Sequence, residues 1–488
     1  MRTYSVNGSK ELRGGFSLNI NKETIIHLYH TNDIHSHFEN WPQISRFVQG
    51  EKKRRQEAGE TVLTVDIGDH VDRFHSISEA TNGLGNTKLL NEALYDYVTI
   101  GNNEGITLAK EHLNRLYDDA GFEVLVANLF EKEGIRPAWA KPYKLHTTTD
   151  GITIAFIGLT VAYPEFYHML DWHIEDPLIH LESILEEVRD EAHITVVLSH
   201  LGKSMDEYMA EHYDIDVILG AHTHHLFERG VLMNNTLLCC CEKWGRYVGH
   251  VQLTVDKATK KLLEKDGRAI KTERLGAYSK PLSTIEVLQE ESKQIMAEPV
   301  VHLKEALPVD WFQETSFSHM LANALKTWCG AEIGMVNAGV LLEGLNEGVV
   351  TRGDIHRICP HPINPCLLKV PGKTLREVIL KARRPNMENL EVKGFGFRGK
   401  VMGKMIYAGV EVIPDTIPGN KILLEDVLIN GESLELDRIY TVGTIDMFTF
   451  GYLYPELSTL SDKQYYMPEL LRDVLTDVLI THTSSVKL

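Results

Sequence analysis

Five apolar, strand-like runs in the first half of this chain each end directly on a polar pair or triplet, and that pattern restricts the fold more than any single motif. Residues 24–30 alternate apolar and β-branched positions and lead into Asp33-Ile34-His35. Residues 61–66 lead into Gly68-Asp69, and the short run 97–100 into Gly101-Asn102. Residues 193–198 end on Ser199-His200, and residues 215–219 on Gly220-Ala221-His222-Thr223-His224. In α/β proteins, strand ends converge on one edge, where sites are built. Polar residues placed by chance would not keep falling there. The expected fold class is therefore α/β, with these residues gathered beyond the strand ends.

The chain has 488 residues, and a single core rarely grows past roughly 250–300, so at least two domains are expected. Strand-like runs continue to about residue 255, and the charged stretch 256–280 reads as a loop. Residues 283–297 read as a helix with a polar majority, suited to a connector spanning 283–300. This divides the chain into a first domain over 24–275 and a second over 301–488. The second should hold strands at 366–370 and 422–428 and a helix at about 374–384. A net charge of −18 argues against a nucleic-acid partner. The basic run Lys52-Lys53-Arg54-Arg55 is flanked by Glu51 and Glu57 and reads as a solvated helix face. No apolar stretch approaches the roughly 20 residues of a membrane span, and residues 1–23 lack the apolar run of a secretory signal. Six cysteines, three of them consecutive at Cys239-Cys240-Cys241, read as reduced core residues. The expectation is a cytoplasmic protein with no membrane partner.

The polar residues at the strand ends form a ligand set. Asp, His and Asn offer carboxylate, imidazole and amide oxygen, which suit divalent manganese, zinc or iron. Asp33 and His35 are close enough in a loop to reach one ion, and Asp69 can bridge two ions through its two oxygens. Asn102 adds an amide oxygen without charge, and His200, His222 and His224 add imidazoles. Two divalent ions against the two carboxylates leave a net positive centre, able to recruit a phosphate although the chain is acidic. Such a pair lowers the pKa of a shared water to near 7 and clamps phosphoryl oxygens during in-line attack by the resulting hydroxide.

In this order, Asp-x-His, Gly-Asp, Gly-Asn, His and Gly-x-His-x-His resemble the calcineurin-like metallophosphoesterases. Within them, Thr31-Asn32-Asp33-Ile34-His35-Ser36-His37 resembles the bacterial 5′-nucleotidase/UDP-sugar hydrolase family. Met335-Val336-Asn337-Ala338-Gly339, Thr351-Arg352-Gly353-Asp354-Ile355 and Tyr440-Thr441-Val442-Gly443-Thr444-Ile445-Asp446 resemble segments of that family's C-terminal domain. The resemblance implies an N-terminal αββα sandwich and an α+β C-terminal domain that binds the substrate. It implies that Asp33, His35, Asp69 and His224 hold one metal, and that Asp69, Asn102, His200 and His222 hold the other. It further implies a nucleotide or related phosphate ester or anhydride as substrate, UDP-sugars and 2′,3′-cyclic nucleotides included. Asn337, Gly339, Arg398, Phe448 and Phe450 are then the candidate substrate contacts, the aromatics by stacking on a base.

The chain also departs from that family. The usual Gly-Asn-His-Asp/Glu reads Gly101-Asn102-Asn103-Glu104, and Ile106 stands where the histidine's carboxylate partner belongs. An asparagine donates a hydrogen bond but delivers no proton, and such acid assistance is worth about 10²–10⁴-fold. Asn103 is the candidate at that position, and His37, His70 and His225, each beside a ligand motif, are candidate replacements. Anhydride or cyclic diester bonds, whose leaving groups need less acid help, are the expected preference. The alternative is a degenerate relative that binds metal and nucleotide without turnover. Gly339 is followed by Val340-Leu341-Leu342 rather than by the family's arginine, with Arg352, Arg383, Arg384 and Arg398 as candidate substitutes.

Overall fold

Residues 22–276, 283–413 and 426–485 are described by the computed structural model. In the strand Glu23–Thr31, Ile26 and Leu28 enter one core while Tyr29 enters another. Strand Thr153–Thr160 divides in the same way: Ile154 and Phe156 face one core, Ala155 and Ile157 a second. Strands apolar on both faces need cover on both, which dictates a layered fold.

Two sheets supply the inner layers. The seven-stranded sheet runs in the order Leu262–Lys271, Tyr247–Asp256, Glu23–Thr31, Thr61–Asp66, Tyr97–Val98, Glu123–Leu125, Ala140–Lys141. The six-stranded sheet runs Val231–Met233, Thr236–Cys239, Val217–Gly220, Ile194–His200, Thr153–Thr160, Tyr143–Thr147. Between them lie Leu28, Val65, Phe156, Val196, Leu198 and Leu219, all buried. Helices Trp41–Glu57 and Leu84–Glu92 cover the outer face of the first sheet through Trp41, Ile44, Leu89 and Leu90. Helices Pro177–Val188 and Lys203–His212 cover the second through Leu181, Ile184 and Met209. This is the αββα sandwich. Its central strands are parallel in each sheet, so their C-terminal ends lie at a common edge.

One stretch differs from expectation. Within 256–280, read as a loop, Leu262–Lys271 is a ten-residue strand paired antiparallel with Tyr247–Asp256. It lies at the sheet edge, where Glu264, Lys265, Asp266 and Arg268 hide the strand pattern and discourage further pairing.

The second half is α+β. Its five-stranded sheet runs Met405–Ala408, Ile333–Asn337, Ile439–Ile445, Pro365–Pro371, Lys463–Tyr465. Helices Ser316–Trp328 and Leu471–Ser485 share one core with it, through Phe317, Leu321, Val336, Leu368, Val442 and Leu475. The expected helix at 374–384 is Gly372–Ala382. Of the expected strand at 422–428, residues 422–425 lie outside the described residues, and Asp426–Ile429 is a strand. The connector helix is Ser283–Met296; its Ile285 and Leu288 pack into the first half's core, and the chain then enters strand Pro299–Leu303.

The halves meet over residues 72–79. Glu79 accepts hydrogen bonds from Arg73 at 2.8 Å and from Arg472 at 2.8 Å. His356 donates through Nε2 to the Arg73 carbonyl at 2.9 Å. Phe166 packs against Phe450, with ring centroids 5.9 Å apart.

Candidate metal centre

At the edge where the parallel strands end, the structure brings the predicted donors together. His35 Nε2 lies 3.2 Å from His224 Nε2, 3.8 Å from Asp33 Oδ1 and 3.7 Å from Asp69 Oδ2. His224 Nε2 is 3.4 Å from Asp33 Oδ1, and His200 Nε2 is 3.5 Å from Asp69 Oδ2. Two triads, Asp33/His35/His224 and Asp33/Asp69/His200, each have donor atoms within 4.8 Å of one another. The His222 ring lies 5.3 Å from that of His200. Asn102 opens the helix Asn102–Thr107, beside the Asp69 loop.

The backbone is shaped to present these donors. Asp33, His35, Asp69, His222 and His224 all adopt positive φ, at 50°, 49°, 51°, 69° and 56°. Each such residue costs on the order of 1–3 kcal/mol and persists only where its surroundings enforce it. Here the enforcement is a set of loop-to-loop hydrogen bonds: Asp33 N to Gly68 O at 3.0 Å and His35 N to Asp69 O at 2.8 Å. Gly101 is required for close approach, because a Cβ there would sit 2.1 Å from Asp69 Oδ1 and 2.6 Å from His200 Nε2.

Opposite charges hold the site in an ionised pattern. Burial would raise the Asp33 carboxyl, but His224 and His200 hold it below the usual carboxylate range. Asp69 is likewise depressed, against its burial, by His200 and His35. Burial works to lower His200, yet the neighbouring Asp69 outweighs it and lifts the imidazole to about 10. His222 is pushed down to about 4 by burial and by His200.

Two observations fit this donor set to divalent ions. His200 donates through Nδ1 to the Ile67 carbonyl at 2.7 Å, which turns Nε2 toward the site, where a cation would take the place of its proton. Asn102 Oδ1 and His200 Nε2 are buried and make no hydrogen bond, and buried polar atoms are ordinarily paired.

The other predicted residues are placed differently. Asn103 is buried; its Nδ2 donates to the Val71 carbonyl at 3.0 Å and lies 3.0 Å from His35 Nδ1. His70 is buried against Trp41, with ring centroids 4.8 Å apart, and its Nδ1 lies 3.1 Å from Asn86 Nδ2. It packs behind the site, as a core histidine. His225 is exposed and bonds Thr223 Oγ1 at 2.9 Å. His37 rests on Trp244, with centroids 4.6 Å apart. Asn337 Nδ2 donates to Met402 O at 2.7 Å, and Gly339 N donates to the same carbonyl at 2.9 Å, so both clamp the segment that follows Arg398. Arg398 reaches across to the first half and pairs with Asp72 at 2.5 Å. Phe448 is fully buried, edge-on to Tyr454 at 5.3 Å; the expectation that it stacks on a base gives way to core packing. Phe450 is 39% exposed, 6.0 Å from Phe395, and Phe395 stacks on Tyr452 at 5.4 Å.

Four residues at the site escaped sequence reasoning. Asn32 Nδ2 donates to Asp33 Oδ2 at 2.8 Å. Asp72 Oδ2 lies 3.3 Å from His35 Nδ1. Glu104 accepts from the backbone N–H groups of Asp69, Val71 and Gly101 at 3.0, 2.7 and 2.9 Å, tying two ligand loops together. The Tyr163 hydroxyl sits 3.1 Å from His222 Nε2. Asn32, Asp72 and Glu104 lie within three residues of a ligand and were discoverable as supporting groups; Tyr163 carries no such signal.

Comparison with known proteins agrees with this geometry. The family model for calcineurin-like phosphoesterases matches residues 26–226, and that for the 5′-nucleotidase C-terminal domain matches residues 299–451. The uncharacterized metallophosphoesterase YunD of Bacillus subtilis is 45% identical over 452 residues, covering 92% of this chain and 98% of that protein. The crystal structure of a putative 5′-nucleotidase from Staphylococcus aureus shares the fold with a TM-score of 0.67, at 19% identity over 93% of this chain and 96% of that one. That of the NAD nucleotidase of Haemophilus influenzae has a TM-score of 0.65, at 16% identity over 94% and 97%. The chain therefore belongs to the calcineurin-like metallophosphoesterases that carry a 5′-nucleotidase C-terminal domain, and it is a phosphohydrolase of that family.

Proposed function

We propose that the enzyme hydrolyses nucleotides or closely related phosphate esters and anhydrides, with a preference for anhydride or cyclic diester bonds over simple monoesters. The observation that carries the preference is the state of Asn103. Its amide donates to the Val71 carbonyl and lies against His35 Nδ1 at 3.0 Å, and an amide has no acidic proton, so the position provides none for a leaving alkoxide. A phosphate leaving group needs less such help.

Asp33, His35, Asp69 and His224 would hold one divalent ion, and Asp69, Asn102, His200 and His222 the other, with manganese, zinc or iron matching the donors. Ions held there supply Lewis acidity and a water made acidic enough to react near neutral pH. The protein's own groups do the rest. Asn32 and the His222 backbone N–H, 3.1 Å from Asp33 Oδ2, fix the Asp33 carboxylate. Glu104 and the Asn103 backbone N–H, 2.7 Å from Asp69 Oδ1, fix Asp69. Tyr163 stands beside His222 as a hydroxyl donor for a phosphoryl oxygen. The exposed Phe450 and Tyr452, with the half-buried Phe395 between them and the core, support a base-stacking platform in the second half. The six cysteines are free and buried, which supports the cytoplasmic reading.

Turnover of a nucleotide sugar and of a nucleoside monophosphate, each with manganese, tests the preference. The nucleotide sugar is expected to be cleaved faster, with the activity gone in Asp69→Ala. A strong monophosphate preference rejects the anhydride reading. Failure to cleave either substrate, or a generic aryl phosphate, favours the binding-protein alternative.

A further inference from the structure

We infer that Arg398, from the second half of the chain, is a positioning residue for the metal centre, acting through Asp72 on His35. The inference rests on the reading of His35 as a metal ligand.

The chain of contacts is short and built at every step. Asp72 is buried, and its Oδ2 faces the Arg398 guanidinium at 2.5 Å and His35 Nδ1 at 3.3 Å. Its other oxygen accepts the Phe74 N–H at 2.9 Å. A buried carboxylate without a cation is strongly unfavourable, and removing one partner of such a pair leaves the other uncompensated. A histidine that binds metal through Nε2 carries its proton on Nδ1, and the group accepting that proton sets the ring's orientation. Asp72 Oδ2, 3.3 Å from Nδ1, is the carboxylate placed to accept that proton, beside the Asn103 side-chain amide at 3.0 Å, and Arg398 holds that carboxylate in place.

Arg398 is itself held rigidly. His361 is fully buried, and its Nε2 donates to the Val340 carbonyl at 2.8 Å. Its Nδ1 is thereby an acceptor, and the Arg398 backbone N–H donates to it at 2.9 Å. The His361 ring stacks on Phe397 at 5.2 Å. Glycines let the loop press this close. A Cβ at Gly396, whose φ is +76°, would lie 2.5 Å from Pro362 O, and one at Gly399 would lie 2.7 Å from Gly339 O. The guanidinium thus projects from a fixed backbone into the other half of the molecule, and the loss of one side chain there should loosen a metal ligand on a different domain.

Manganese binding to the metal-stripped full-length protein, followed by titration calorimetry, tests this. Arg398→Ala and Asp72→Asn should each weaken manganese binding by roughly 10–100-fold, the range for outer-shell partners. The double variant should bind no more weakly than Asp72→Asn alone, because Arg398 acts through Asp72. Arg398→Lys, a charge without the planar fork, should recover part of the loss. If Arg398→Ala is not folded by circular dichroism, Arg398→Gln is measured instead, with the same expected weakening. Wild-type manganese affinity in the folded Arg398 variant, with only KM raised, would make Arg398 a substrate contact and overturn the inference. Losses that add fully in the double variant would overturn it as well. A wild-type protein that binds no manganese, zinc or iron would instead overturn the metal reading on which the inference stands.

Discussion

The metal centre and the aromatic face of the second half place their key residues in opposite environments. Asp33, Asp69 and His200 are at most 2% exposed; Asp33 and Asp69 lie in loops whose backbone is strained and cross-bonded, and His200 ends a strand. Phe450 and Tyr452 are 39% and 61% exposed. A centre that must hold cations at fixed separations needs rigidity and exclusion of water, which strengthen its electrostatics. A face that stacks a base needs only a flat apolar surface open to solvent. Changes at the centre should therefore abolish chemistry, and changes at the aromatic face should change recognition.

Asp69→Ala gives the sharpest contrast. It removes the carboxylate shared by both proposed ions, so the rate of phosphate-ester hydrolysis should fall by more than the roughly 10–100-fold typical of outer-shell losses, measured on protein shown to be folded by circular dichroism. Phe448→Ala should do the reverse. Deleting a fully buried phenyl ring costs about 3–5 kcal/mol of stability, read by denaturant unfolding, and should leave metal content unchanged in the folded protein.

Asp446 separates stability from catalysis through pH. Burial lifts its carboxyl to about 7. Its pKa is raised on folding, so its contribution is fully present below the unfolded value of about 3.9 and is lost as pH rises through 7. Asp446→Asn should therefore be more stable than wild type at pH 8, by up to roughly 2–4 kcal/mol, and close to wild type at pH 4, read by unfolding at both pH values. Phe450→Ala is the smallest expected change. Losing one stacking surface should raise KM for a nucleotide by about 10-fold and leave turnover of an aryl phosphate unaltered. Equal losses on both substrates would remove the distinction between chemistry and recognition.

The same contrast explains what was legible in the sequence. Metal donors are limited to a few residue types, and each of the seven ends or follows a strand or opens a helix at a common edge, so Asp33, His35, Asp69, Asn102, His200, His222 and His224 stand out as a series. Asp72 and Arg398 are 326 positions apart, and no local pattern pairs them. Phe448 and Phe450 are two residues apart in sequence, yet one is core and the other surface, because both lie past the end of strand Ile439–Ile445, where strand alternation no longer assigns faces. The strand Leu262–Lys271 was hidden because an edge strand tolerates charge on most positions. His70 adjoins Asp69 but turns into the core beside Trp41, a choice made by tertiary packing.

Metal content per chain tests the central claim most directly. Protein loaded with manganese, desalted and measured by inductively coupled plasma mass spectrometry should retain two ions per chain, and Asp69→Ala should retain at most one. A wild-type protein that hydrolyses phosphate esters while holding no divalent ion, or an Asp69→Ala variant that keeps both, would contradict it.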